Sequence, residues 1–250
     1  MFASSNVAAA PPVLKEAGSF FVNGEVVQND NPGGGNPGGR IVVNQMYVEY
    51  AIPQKQKAGA WPVIMVHGSG HTGKTYDTTP DGRDGWKQYF LRKGYSVYVV
   101  EQVGRARSGW NTAPINNAET KGDAKSIPKG GIAQFTYERA WSIFRFGPKA
   151  DEWWPDSKFP KDYLDQYMAQ LVPNTEATLP QPPRKSVNAL IVLMEKIGPS
   201  ILMVHSQSGV YGALAAVARP DLVKGLVNVE GQTGCELNPK QIKSMAKVPM

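Results

Sequence analysis

The sequence predicts an α/β fold: a mostly parallel central sheet with an antiparallel N-terminal hairpin, helices on both faces and an inserted cap. Three observations predict it. Short apolar runs at residues 61–66, 95–100, 201–204 and 222–229 alternate with helical patterns at 85–93, 185–197, 209–219 and 239–247. Such strand–helix alternation buries a parallel sheet on both faces. Ahead of it, residues 19–28 and 40–52 are rich in Val, Ile, Phe and Tyr and are separated by Asn31-Pro-Gly-Gly-Gly-Asn-Pro-Gly-Gly39, which reads as a hairpin on a glycine loop. Residues 104–184 then interrupt the alternation with many prolines and aromatics. A structureless loop of that length is uncommon in a compact domain, so the segment reads as a partly helical cap. Residues 1–18 read as a flexible N-terminal segment and 19–250 as one domain.

Bulk properties narrow the function classes. The chain has 250 residues, enough for one domain of this class, and 41% are hydrophobic. Its net charge of +6 comes from 27 basic and 21 acidic residues that form no block of one sign. No nucleic-acid partner is implied. No apolar run approaches the ~18 residues of a membrane span, so no stable membrane insertion is expected. Cys235 is the only cysteine, which excludes an intrachain disulfide, and nothing near it in sequence supplies a base. The start, ending in Ala8-Ala9-Ala10, is compatible with a clipped leader and export to a secreted or periplasmic location, or with a loose terminus. Homodimer formation is left open.

The chemistry concentrates at Ile201-Leu-Met-Val-His-Ser-Gln-Ser-Gly-Val210. An apolar run stops at Ser206 and a small-residue helix pattern begins at once. A strand turning that sharply into a helix presents the apex hydroxyl over the sheet edge, and small flanking residues make the turn feasible. The pattern Gly-x-Ser-x-Gly is met only in part, with Val204 and Ser208 at the two small positions. A helix N-cap is the competing role for Ser206, and the pentapeptide by itself favours neither.

A second motif points two ways. Gly68-Ser-Gly-His-Thr-Gly-Lys-Thr75 satisfies the P-loop pattern, which would put Lys74 on phosphates and Thr75 on magnesium. A P-loop needs a helix starting at the lysine, yet Pro80, Gly82 and Gly85 follow and oppose one. The alternative use of the same loop is an oxyanion hole: the Ser69 amide (or that of Gly70) with the Gln207 amide would face the oxygen of an acyl group. His67 is expected to be structural. In the cap, Trp141, Trp153 and Trp154 are the expected substrate-contacting aromatics, together with Gly70.

His67-Gly68, Thr79-Pro-Asp-Gly-Arg-Asp-Gly-Trp86, Tyr89-Phe90, Gly94-Tyr95, Gly104-Arg-Ala-Arg-Ser108 and His205-Ser-Gln-Ser-Gly209 together resemble the esterase 713-like branch of the α/β hydrolases. The resemblance runs from about Phe20 to the C-terminus. It implies a carboxylic-ester hydrolase without metal or organic cofactor, with Ser206 as nucleophile in a Ser-Glu-His triad. It also implies that the acid follows the strand after the nucleophile helix, which here is Glu230 in Gly225-Leu-Val-Asn-Val-Glu-Gly231. Read from the residues alone, Glu230 is equally a strand-end carboxylate facing water. The resemblance implies a histidine from a loop after the last strand, whereas the three histidines, His67, His71 and His205, all precede Glu230. Residues 247–250 read as the opening of another strand, so the final strands and the histidine are expected beyond Met250. His71 substitutes only if its loop folds over Ser206. A small-molecule ester is the expected substrate, and a non-catalytic ligand binder is the competing class.

Overall fold

The computed structural model describes residues 10–123, 125–127, 132–174, 184–232 and 237–250. Cys235 lies outside them. Six strands form one sheet: β1 (Leu14–Asn29), β2 (Gly39–Pro53), β3 (Val63–Val66), β4 (Val97–Val100), β5 (Ser200–His205) and β6 (Val223–Val229), in the order β1-β2-β4-β3-β5-β6. β1 pairs with β2, and β2 with β4, in antiparallel fashion; β4, β3, β5 and β6 run parallel. This is the mostly parallel sheet with an antiparallel hairpin that the sequence predicts. The hairpin begins at Leu14 instead of Ser19, because Leu14 and Gly18 already pair with Pro53 and Tyr50.

The central strands read as unbroken apolar runs because both of their faces are covered. Side chains alternate between the faces. Ile64 and Val66 join Met46, Val48, Leu202 and Val204 beneath α5 (Arg184–Ile197) and α6 (Ser208–Ala218), which contribute Leu190, Leu193, Met194, Ala213 and Ala216. Val63 and Met65 join Val97, Val99, Met203 and Tyr76 beneath α1 (Trp86–Arg92), which contributes Leu91. The chain between β4 and α5 divides. There, α2 (Ala113–Thr120) belongs to the hairpin end, where Asn117 Oδ1 accepts from the Asp30 amide at 2.6 Å. By contrast, α3 (Tyr137–Ile143) and α4 (Leu164–Met168) carry a separate cap core of Trp141, Phe146, Met168 and Leu171. α3 is started by Thr136, whose side chain accepts from the Arg139 amide. Finally, α7 (Pro239–Met245) is started by an Asn238/Gln241 capping box. After it, the Pro249 carbonyl accepts from the Leu226 amide of β6 at 2.8 Å, so residues 248–250 run beside that strand.

Val204, the residue that breaks the small-residue pattern, is accommodated from the helix side. A Cβ on Gly212 of α6 would fall 2.8 Å from Val204 Cγ1 and 2.8 Å from Leu226 Cδ1. The space saved by glycine on the strand in the usual pattern is saved here by glycine on the helix. Gly212→Ala is therefore expected to cost about 1–3 kcal/mol from overpacking. Adding Val204→Ala should recover part of that loss, giving a non-additive double-mutant cycle by urea denaturation. Strict additivity would show that the two positions do not share this space.

Candidate active site

Ser206 occupies the junction of β5 and α6 with φ of +52°, a left-handed conformation that costs a non-glycine residue on the order of 1 kcal/mol. The surroundings hold it there. Its amide donates to the Val229 carbonyl of β6 at 3.1 Å, and its carbonyl accepts from the amides of Gly209 (3.0 Å) and Gln232 (3.3 Å). Gly209 must lack a side chain, since a Cβ would meet the Gln232 nitrogen and Gly231 Cα at 2.8 Å. Ser208, standing where the usual pattern has a second glycine, is fully buried and braces the turn. Its Oγ accepts from the His205 amide at 2.9 Å and reaches the Val66 carbonyl of β3 at 2.9 Å. Ser206 Oγ itself makes no hydrogen bond among the described residues, and α6 has no side-chain cap. The N-cap role is thereby excluded, and a half-buried hydroxyl is left unspent.

The loop after β3 lies directly against this turn. A Cβ on Gly68 would fall 3.1 Å from Ser206 Cβ and 2.9 Å from His205 Nδ1. Beyond it, the amides of Ser69 and Gly70 donate to no acceptor among the described residues. Gly70 has φ of +70°, and the Phe135 ring covers the side where a Cβ would stand. The Gly70 carbonyl takes the Val172 amide of the cap at 2.9 Å. The loop after β3 is thus clamped between elbow and cap.

The same loop disposes of the nucleotide reading. Where a P-loop would offer amides to phosphate, the Gly73 amide donates to Glu101 Oε2 at 3.0 Å. Glu101 is buried, also receives Arg107, and stays ionised: burial raises its carboxyl, but His67, the Gly73 amide and Arg107 outweigh that and hold it below the usual carboxylate range. Lys74 turns back onto the Thr78 carbonyl and hydroxyl at 2.8 and 2.7 Å. Residues Gly73–Tyr76 make only a short 3₁₀ turn. A carboxylate already fills the anion cradle, and no helix starts at the lysine.

Two of the three histidines have both ring nitrogens committed away from Ser206. The buried His67 ring has Nδ1 on the Gly68 carbonyl (2.9 Å) and Nε2 between the Gln102 amide (3.1 Å) and Glu101 Oε2 (3.4 Å), all structural contacts. His71, also buried, spends Nδ1 on the Ser69 carbonyl (2.9 Å) and Nε2 on the Tyr167 hydroxyl (2.8 Å), tying the loop after β3 to the cap. Burial pushes His71 down to about 4, so it is neutral and a weak base near pH 7. Burial also lowers His205, against an opposing pull from Glu230. His71 makes stability acid-sensitive. The unfolded chain takes up its proton near pH 6.5 and the folded chain only near 4, so between those values acid favours unfolding. Unfolding free energy should fall by up to about 3 kcal/mol across that window, and His71→Gln should flatten the slope in denaturation series at pH 7 and 4.5. An unchanged slope would remove His71 as its source.

Glu230 closes β6 one residue after the Val229 carbonyl that receives the Ser206 amide, again with positive φ, +47°. Its side chain is 72% exposed and pairs with Arg145 of the cap, itself 76% exposed, at 2.9 Å. Trp141, expected at the substrate, is instead sealed in the cap core, where its indole N–H donates to the Glu152 carbonyl at 3.2 Å. Trp153 stacks on Phe159 at 5.4 Å, and Trp154 is exposed. Indoles bury the largest apolar area available, and a cap built on two short helices needs that area for its own core. The cavity beside the elbow, about 250 Å³, is lined by Thr75, Tyr76, Thr79, Trp86, His205 and Val229. Sequence reasoning used the 75–86 segment to deny a helix and as part of the family resemblance, but gave it no place beside the elbow. It also gave Arg105 no role, though its place in the Gly104-Arg-Ala-Arg-Ser108 block was a signal; the side chain is fully buried beside the elbow.

No protein-family profile matches the chain. A solved structure described as that of a novel bacterial esterase superposes with a TM-score of 0.85 at 37% identity, over 96% of this chain and 75% of that one. The chain belongs to the α/β-hydrolase esterases. A curated protein, the probable secreted lipase phiG of Fungal sp. (strain ATCC 74256), is 33% identical over 197 residues, 77% of this chain and 50% of the relative. The chain thus spans about half the length of that relative. As in other α/β hydrolases, the elbow lies at the carboxyl ends of the parallel strands, where adjoining loops supply the chemistry. Among the described residues, no group of three or more His, Cys, Asp or Glu is arranged to hold a metal ion, and no helix is long and apolar enough to cross a membrane.

Proposed function

We propose that the protein is a serine carboxylic-ester hydrolase that works through an acyl-enzyme. One observation carries the reading: the unspent Ser206 hydroxyl stands on a left-handed turn packed against a loop whose Ser69 and Gly70 amides are also unspent. In this mechanism Ser206 Oγ attacks the ester carbonyl and its proton passes to a histidine. The carbonyl oxygen becomes an oxyanion held by the Ser69 and Gln207 amides, worth several kcal/mol in a site shielded from water. Collapse expels the alcohol, which takes the proton from the imidazolium, and water then releases the acid by the reverse sequence. His67 and His71 are engaged elsewhere, and the family resemblance takes the base from a loop after the last strand, so in this reading the base is a histidine outside residues 1–250, oriented by Glu230. Residues 1–250 alone then hydrolyse esters poorly. The secreted name of the lipase relative supports export of this protein as well.

A fluorophosphonate probe tests the nucleophile directly. Incubated with the complete gene product, it should add to one site, on the peptide containing Ser206, with loss of fluoride. Adduct on another residue, or none, overturns the reading.

A further inference from the structure

Arg105 begins the 3₁₀ turn that follows β4, and its backbone is fixed on both sides: its amide donates to the Gln102 carbonyl at 3.0 Å, and its carbonyl accepts from the Ser108 amide at 2.8 Å. Its side chain has no exposed surface. Burying a guanidinium is costly, so the site must use the group for hydrogen bonds that a smaller side chain would not make. Nη2 donates to Asn174 Oδ1 at 2.9 Å and to Gln207 Oε1 at 3.1 Å, and Nη1 points to the Gly68 carbonyl at 3.4 Å. Asn174 in turn donates from Nδ2 to Ser69 Oγ at 3.3 Å. Ser69 and Gln207 come from different elements, the loop after β3 and the residue that leads into α6, and nothing local in sequence sets their separation.

We propose that Arg105 is the positioning residue of the oxyanion hole, gauging the distance between the Ser69 and Gln207 amides through one planar guanidinium. The inference rests on the esterase reading and deepens it. The bonds to Asn174 and Gln207 both leave one amino nitrogen, Nη2, whose two N–H groups lie in the guanidinium plane that also aims Nη1 at the Gly68 carbonyl, whereas an ammonium on a flexible stem has no such plane. Arg105 touches no reacting atom.

The test uses the complete gene product with p-nitrophenyl acetate and a boronic acid, which forms a tetrahedral anionic adduct on the serine. Arg105→Met should lower kcat by about 10²-fold, the usual cost of misplaced groups. KM should stay within about threefold, since the loss falls on the transition state. Boronate affinity should fall by the same factor as kcat, while binding of a non-hydrolysable ether analogue of the substrate holds. Arg105→Lys should recover only part of the loss. Should Arg105→Met fail to fold, Asn174→Ala cuts the relay to Ser69 and should cost about 10-fold in kcat with the same boronate signature. A variant whose kcat and boronate affinity match the parent, or whose defect lies in KM alone, overturns the positioning role. If Ser206 still takes the fluorophosphonate in that variant, the esterase reading survives; absence of labelling in the parent would defeat that reading instead.

Discussion

Ser206→Ala should reduce kcat for p-nitrophenyl acetate by roughly 10⁴-fold or more in the complete gene product, leaving only what donors and binding supply without a nucleophile. The structure also specifies what this substitution should leave alone. Because Ser206 Oγ bonds to nothing among the described residues, its removal should leave the urea midpoint in place. An N-cap serine would behave in the opposite way, losing about 1 kcal/mol of stability on conversion to alanine with no effect on turnover. Ser206→Gly extends the comparison: φ of +52° suits glycine, so this inactive variant should be as stable as the parent or more so. Turnover that persists in Ser206→Ala, or a stability loss without loss of activity, contradicts the mechanism.

Glu230→Gln carries the second large effect. In the proposed triad Glu230 would hold the histidine tautomer and stabilise the imidazolium, so its amide isostere should cost about 10³–10⁴ in kcat. Arg145→Gln removes the observed partner of Glu230, yet should change kcat by no more than about threefold, because an ion pair this exposed contributes little. The two variants separate a catalytic carboxylate from a surface one: comparable, small effects from both would leave Glu230 as a partner for Arg145 alone.

Much of the sheet was legible because strand periodicity and burial are local in sequence. The runs 61–66, 95–100, 201–204 and 222–229 became β3, β4, β5 and β6 with ends moved by a residue or two. The hairpin start was missed because Leu14 and Gly18 look like linker until Pro53 and Tyr50 are beside them. The cap was legible as a body but not in its interior. Whether an indole lines a pocket or fills a core depends on neighbours far along the chain, and Trp141 was resolved only by Phe146, Trp153 and the Glu152 carbonyl.

By itself the sequence determined the strand–helix order, the turn at Ser206 and the failure of 68–75 to become a nucleotide cradle, since glycines, prolines and β-branched runs restrict the backbone within a few residues. Tertiary structure alone decided the rest: that Gly212 makes room for Val204, that Glu101 fills the anion cradle, and that Arg105 joins Ser69 to Gln207 through Asn174. Those depend on close approach between strands, loops and helices that are distant in sequence, and spacing along the chain carries no record of it.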